Sequence, residues 1–175
     1  MTDTTQMEAA VTAAQARQKA NKLVIFTWGG DLDKVWPTLI LATSAAAMGM
    51  ETIVFFTFWG LFPLVRNDIR LTGDNWMQKL LSTMHRGGTE HLKLSQFQFA
   101  GAGKAVMMKL ARDNKVASPT ELLEIARDMG VRLIPCQMTM DLLGLSREDL
   151  IDGLEEPAGA ATALAEAQDA ITLFI

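Results

Sequence analysis

Residues 22–59 read KLVIFTWGGDLDKVWPTLILATSAAAMGMETIVFFTFW, and the change of texture along them decides the fold class. KLVIFTW (22–28) is a continuous apolar, partly β-branched run, the pattern of a strand buried on both faces. It stops at Gly29-Gly30, and Asp31 stands where the N-cap of a following helix belongs. DKVWPTLILATSAAAMGM then reads as helix, with Pro37 near its first turn and Gly49 at its end. ETIVFFTFW (51–59) is a second strand. Strand, helix and strand in this order predict a parallel α/β sheet.

The rest of the chain extends that unit. SPTELLEIARDMG (118–130) carries a helix with Ser118 as N-cap, Pro119 at the first helical position, Glu121 completing a capping box and Gly130 as stop. VRLIP (131–135) is a third strand, and QMTMDLLG a short helix ended by Gly144. SREDLI repeats the cap logic with Ser146 and Asp149, a short strand is expected near Ile151–Leu154, GAATALAEAQD reads as helix, and AITLFI (170–175) as the last strand. A further helix is expected from about Gly103 to Asn114. Together these predict an α/β fold: a three-layer α/β/α domain of flavodoxin-like character with a mostly parallel sheet of four or five strands. The expected organisation is an N-terminal arm or helix over 1–21 and one domain over 22–175, with an irregular, basic, Met-rich insert at about 60–117. Strand order is not readable from periodicity.

The totals exclude several classes. A chain of 175 residues, 49% hydrophobic, suffices for one buried core. A net charge of −4 argues against nucleic-acid binding, although residues 66–115 hold nine Lys/Arg against four Asp/Glu, so a basic segment sits in an acidic chain. The single cysteine forms no internal disulfide, which fits a reducing cytosol, and the first residues lack the apolar centre of a secretory signal. Between Val35 and Val65 the only charge is Glu51, but the uncharged runs beside it, 16 and 14 residues, are short of the ~20 that a spanning helix needs.

Ligands of open parallel sheets bind beyond the carboxyl ends of the strands. Two segments reach that edge with chemistry to offer: TWGGDLD after the first strand and PCQMT after the third. Cys136 falls at the start of a helix, where unpaired N–H groups and the helix dipole favour a thiolate. The competing reading is a small buried hydrophobe, and composition alone favours it. Three familiar thiol chemistries do not fit. Thr139 occupies the second position of a Cys-x-x-Cys motif, Leu133 stands where a peroxidatic site has Thr or Ser, and the only histidines, His85 and His91, lie in the insert. GAGKA resembles a phosphate loop, but Gln98 and Ala105 occupy its defining Gly and Ser/Thr positions, so it reads as a helix entry. WGGD reads as a tight turn before it reads as an anion cradle. Asp31 and Asp33 read as helix-start charges and Met107, Met108, Met138 and Met140 as core or interface filler. Nothing calls for a metal or a cofactor.

FTWGGDLDKVWPTLILATSAAAMGMETIVFFTFWGL and MGVRLIPCQMTMDLLGLSREDLIDGL resemble the DsrE/DsrF-like family of sulfur-relay proteins, closest to its longer, Met-rich branch often labelled peroxiredoxin-like. The resemblance covers roughly 22–175 and includes FQFAGAGKAVMMKLARD. It implies a cytoplasmic, homo-oligomeric α/β/α domain that acts as a sulfurtransferase-like carrier, holding sulfur as a persulfide on Cys136. Gln137 and Thr139, with Gly29 and Gly30 from the neighbouring strand end, are expected to surround it. Implied partners are rhodanese-like and TusA-like sulfur carriers, with no nucleic acid. Peripheral membrane contact through the basic insert, or a non-catalytic scaffold role, is the alternative.

Overall fold

The computed structural model describes residues 7, 21–68, 87–96 and 101–175. β1 (Lys22–Thr27) and β2 (Glu51–Phe56) run parallel, with Lys22 opposite Glu51 and Thr27 opposite Phe56. β3 (Arg132–Pro135) pairs with the far side of β2 and β4 (Ile171–Phe174) with the far side of β1, both in parallel. The sheet therefore has four strands in the order β3-β2-β1-β4. In chain order the helices are α1 (Leu32–Ala47), α2 (Ala102–Asp113), α3 (Pro119–Asp128), α4 (Gln137–Leu143) and α5 (Ala160–Glu166).

Alternation along the strands sorts the side chains into two cores. Leu23 and Ile25 of β1, Val54 and Phe56 of β2 and Leu133 of β3 meet Val35, Trp36 and Leu39 of α1 and Leu122, Leu123 and Ala126 of α3. On the opposite face Val24, Ile53, Phe55 and Ile134 meet Cys136 and Ala163 of α5, a much smaller cluster. Each fully buried Val, Leu, Ile or Phe contributes about 1.5–3 kcal/mol, so the first face carries most of the stability. The sheet is thus flanked by helices on both faces, as the sequence led us to expect.

At the amino ends of the strands a charge cluster ties the layers together. Arg132 of β3 reaches Glu51 at 3.4 Å, Glu155 at 3.3 Å and Glu166 of α5 at 3.1 Å, and Lys22 of β1 reaches Glu166 at 2.6 Å and Glu51 at 3.4 Å. The carboxyl ends are left for chemistry.

Several local readings hold and several need correction. The Ser118 capping box forms: the Ser118 N–H donates to the Glu121 carboxylate at 2.7 Å, and the Glu121 N–H donates back to Ser118 Oγ. Asp31 occupies the N-cap of α1 but makes no side-chain cap bond; its carboxylate is held by Lys34 at 3.1 Å, and the Leu32 N–H donates to the Lys93 carbonyl instead. Pro37 lies in the second turn of α1 rather than the first. Ser146 opens a 3-10 turn over Arg147–Asp149. The expected strand at Ile151–Leu154 does not form, because Gly153 turns the chain at φ 74°. Single bonds to β3 replace it: the Glu155 N–H donates to the Leu133 carbonyl and the Ala158 N–H to that of Pro135, both at 3.0 Å.

Residues 69–86 and 97–100 of the expected insert, with His85 and Gln98, lie outside the described residues, as does most of the expected N-terminal arm. Its described parts are not all surface. A 3-10 turn over Phe58–Leu64 buries Leu61, Phe62 and Leu64, and Leu92 and Leu94 join the larger core. GAGKA is a helix entry, with Gly101 at φ 94° before α2. Only Ala111 of α2 is buried, and Val106, Met107 and Leu110 line an open groove of about 690 Å³. Among the described residues no helix is long and apolar enough to cross a membrane.

Candidate functional site

Cys136 follows the last residue of β3 and is itself the N-cap of α4, with extended backbone (φ −78°, ψ 115°). Its N–H donates to the Phe56 carbonyl at 2.9 Å, prolonging the β2–β3 ladder by one bond, and its carbonyl accepts from the Met140 N–H at 3.0 Å, starting the helix. The residue is therefore clamped from both sides. Its side chain is 2% exposed and lies in the smaller core with Ala158 and Ala163. Phe55 and Ile134 belong to the same cluster, and Ala167 and Ala170 pack against it.

Burial pushes the Cys136 thiol up, but hydrogen bonds outweigh it. The hydroxyls of Thr139 and Thr57 and the backbone N–H groups of Thr139 and Met138 hold the sulfur below the ordinary thiol range. The two hydroxyls form a small buried network. Thr139 Oγ1 accepts the Phe58 N–H at 3.0 Å and lies 3.3 Å from Thr57 Oγ1. Because that oxygen already accepts from Phe58, its own proton is free to point at Thr57 or at the sulfur. Phe58 presents its N–H from a left-handed backbone conformation, φ 51°, which costs an aromatic residue about 1–2 kcal/mol. Strain of this kind persists where surrounding contacts hold it, and it clusters at functional sites.

Of the residues expected around the sulfur, Thr139 is there and the others are not. Gln137 turns along the outside of α4, where its Nε2 donates to Asp141 at 2.7 Å; only its backbone N–H is near, bonded to the Ala158 carbonyl. Gly29 and Gly30 follow β1, and β2 separates β1 from β3. A Cβ on Gly30 would overlap the Trp59 carbonyl, and one on Gly29 would meet the flexible Lys34 side chain. Gly30 lets the end of β1 and the 58–64 turn cross closely. The same crossing explains Gly60, whose Cβ would overlap the Thr27 carbonyl and whose N–H donates to that of Trp28 at 2.9 Å. Gly29 and Gly30 line a separate cavity of about 280 Å³ with Trp28, Lys34, Trp59 and His91, which Cys136 does not line. Sequence reading missed Thr57. It follows the last residue of β2, and only the adjacency of β2 and β3 brings it to Cys136.

A thiol drawn below its ordinary range by hydroxyl and N–H donors is equipped for nucleophilic attack on sulfur and for leaving again. Among the described residues no histidine or carboxylate serves as its general base, and a thiol already below its ordinary range needs none.

Residues 19–174 match the model of the DsrE/DsrF/DrsH-like family. The chain is 33% identical over 159 residues to the uncharacterized protein YrkE of Bacillus subtilis, covering 90% of this chain and 99% of that one. It is 34% identical over 157 residues to the sulfur carrier protein DsrE2 of Allochromatium vinosum, covering 88% and 98%. The solved structure of MTH1491, a protein of unknown function from Methanobacterium thermoautotrophicum, is 13% identical over 88% of this chain and 98% of that chain, with a TM-score of 0.44.

Proposed function

The chain belongs to the DsrE/DsrF/DrsH-like family, and from that premise we propose that it is a sulfur carrier which holds sulfane sulfur as a persulfide on Cys136. The observation that carries the proposal is the setting of the sulfur: a sole cysteine at a strand's carboxyl end, beside the Thr57–Thr139 hydroxyl pair that draws it below the ordinary thiol range. The likeness to a protein named as a sulfur carrier supports the same reading. The Cys136 thiolate attacks the outer sulfur of a donor persulfide, the new S–S bond forms on Cys136, and the donor's S–S bond breaks to release its thiolate. In the second step an acceptor thiolate attacks the outer sulfur and Cys136 leaves as thiolate. One sulfur atom moves in each step and no external oxidant is needed. A depressed pKa favours the second step, because a more acidic thiol is the better leaving group. With no second cysteine in the chain, no internal disulfide discharges the persulfide.

Rhodanese-like and TusA-like carriers are the proposed partners, in the cytoplasm, with the carrier acting as a homo-oligomer. The test is transfer. Protein loaded with a small persulfide and freed of donor passes its sulfur to a low-molecular-weight thiol, and Cys136→Ser passes none. Release of equal sulfur from both proteins would remove Cys136 from the reaction.

A second reading, a binding or scaffold protein, draws on the 2% exposure of Cys136. Native labelling by a small thiol reagent at neutral pH separates the two: a carrier labels, whereas a sealed core cysteine labels only on unfolding.

A further inference from the structure

The sheet adds β2 and β3 on one side of β1 and β4 on the other, so the strand order reverses at β1. In open α/β sheets such a reversal leaves a crevice beyond the carboxyl ends of the strands, the usual place for a ligand. Here that crevice is the cavity of about 280 Å³, and three separate segments wall it: residues 28–31 after β1, Trp59 and Phe62 of the 58–64 turn, and residues 91–93. One water takes up about 30 Å³, and small-molecule sites begin at about 300 Å³. The aromatic wall is held in place from behind. Trp59 stacks on Phe62 at 5.6 Å, and Trp28 is braced by the Phe174 ring at 6.4 Å and by Lys34 Nζ, 4.5 Å from its ring centroid.

The polar part of the wall is rich in donors. No backbone carbonyl among the described residues accepts from the N–H groups of Gly29, Gly30 or Asp31, although Gly29 is buried. Buried N–H groups are almost always paired, and a run of unpaired ones beside a cavity is an arrangement that takes an anion. Lys34 lies against Gly29 and holds the Asp31 carboxylate at 3.1 Å. Among the described residues that carboxylate is the only one in the wall, and Lys34 neutralises it, while His91 and Lys93 add no negative charge. Trp28, Trp59, Phe62 and Leu92 make the remainder apolar. We propose that this cavity binds a small organic anion, a carboxylate or sulfonate head on a short apolar body. The head takes the N–H groups of residues 29–31 and Lys34, and the body lies among Trp28, Trp59 and Phe62. The volume suits a body of one ring and excludes a dinucleotide. Cys136 does not line the cavity, and β2 stands between their two strands, so occupancy is independent of the cysteine chemistry.

Titration of the full chain with benzoate and with benzenesulfonate, followed by amide NMR and tryptophan fluorescence, tests this. The expected result is saturable movement of the Gly29, Gly30 and Asp31 amide signals with at least one of the two anions, and the stronger of them identifies the head group. Benzyl alcohol, similar in shape and uncharged, should bind at least about tenfold more weakly, because charge-assisted hydrogen bonds are the stronger kind. Lys34→Gln removes a cation and leaves Asp31 without its partner, so it should weaken the anion by a similar factor. Asp31→Asn removes the opposing carboxylate and should tighten it, which keeps a gain of binding in the test beside the loss. Amide signals that stay still up to about 10 mM of both anions would overturn the site. So would benzyl alcohol binding as tightly as the anions, or an affinity that Lys34→Gln and Asp31→Asn both leave unchanged.

Discussion

Thr139 is the residue on which the thiol depends. Its hydroxyl accepts the Phe58 N–H, lies beside Thr57 and donates toward the sulfur. Thr139→Val keeps the shape and removes all three interactions. Two effects follow and they are separable. The stranded Phe58 N–H costs about 1–3 kcal/mol of stability. The sulfur also loses the largest of the hydrogen bonds that lower it, so the Cys136 pKa rises from its depressed value toward the ordinary thiol range. The pH profile of iodoacetamide labelling reads the second effect: the midpoint lies below the ordinary thiol value in wild type, moves up in Thr139→Val, and returns in Thr139→Ser. A wild-type midpoint equal to that of Thr139→Val would show that the hydroxyl does not act on the sulfur. Thr139 was legible in the sequence because it lies three residues from Cys136, within the same first turn. Gln137 was legible as a neighbour and misread as a contact, since its side chain follows the helix surface to Asp141.

At the scale of elements, the charge cluster at the amino ends of the strands joins β1, β2, β3 and α5 through Glu166, Lys22, Arg132 and Glu51. Hydrogen bonds from Lys22 and Arg132 depress the Glu166 pKa, overcoming its partial burial. A carboxylate with a depressed folded pKa stabilises the fold above its unfolded value, about 4.3, and loses that contribution as pH falls through the folded value. These groups are partly exposed and screened, so Glu166→Gln should cost about 0.5–1 kcal/mol at neutral pH. The gap between wild type and variant should close on acidification below about pH 4. Denaturant melts at neutral and acid pH check both halves. A gap that persists at low pH would mean that Glu166 acts through packing. The elements themselves were legible wherever the signal was local. The run from Lys22 to Phe56 formed strand, helix and strand, with the second strand stopping short of the expected Trp59 where a 3-10 turn begins, and the Ser118–Glu121 box formed as spelled. The errors were also local. Asp31 lost its capping role to the attraction of Lys34 three residues on, which no capping rule weighs.

For the whole molecule, what stayed hidden was the order of the strands. Parallel pairing could be read from strand–helix–strand alternation, but not that β2 stands between β1 and β3. That single fact moves Gly29 and Gly30 away from Cys136 and into a crossing with Trp59 and Lys34, and it brings Thr57 to the sulfur in their place. The same order puts β3 and β4 at opposite edges of the sheet, so that Cys136 lies beside one edge and far from the other. The central claim is that this fold exists to hold one sulfur atom on Cys136. Intact-mass spectrometry measures it most directly, on wild type and Cys136→Ser after a small persulfide donor and again after reductant. The account predicts a gain of one sulfur atom by wild type alone, removed by the reductant; a gain of oxygen atoms only, no gain at all, or an equal gain by Cys136→Ser would contradict it.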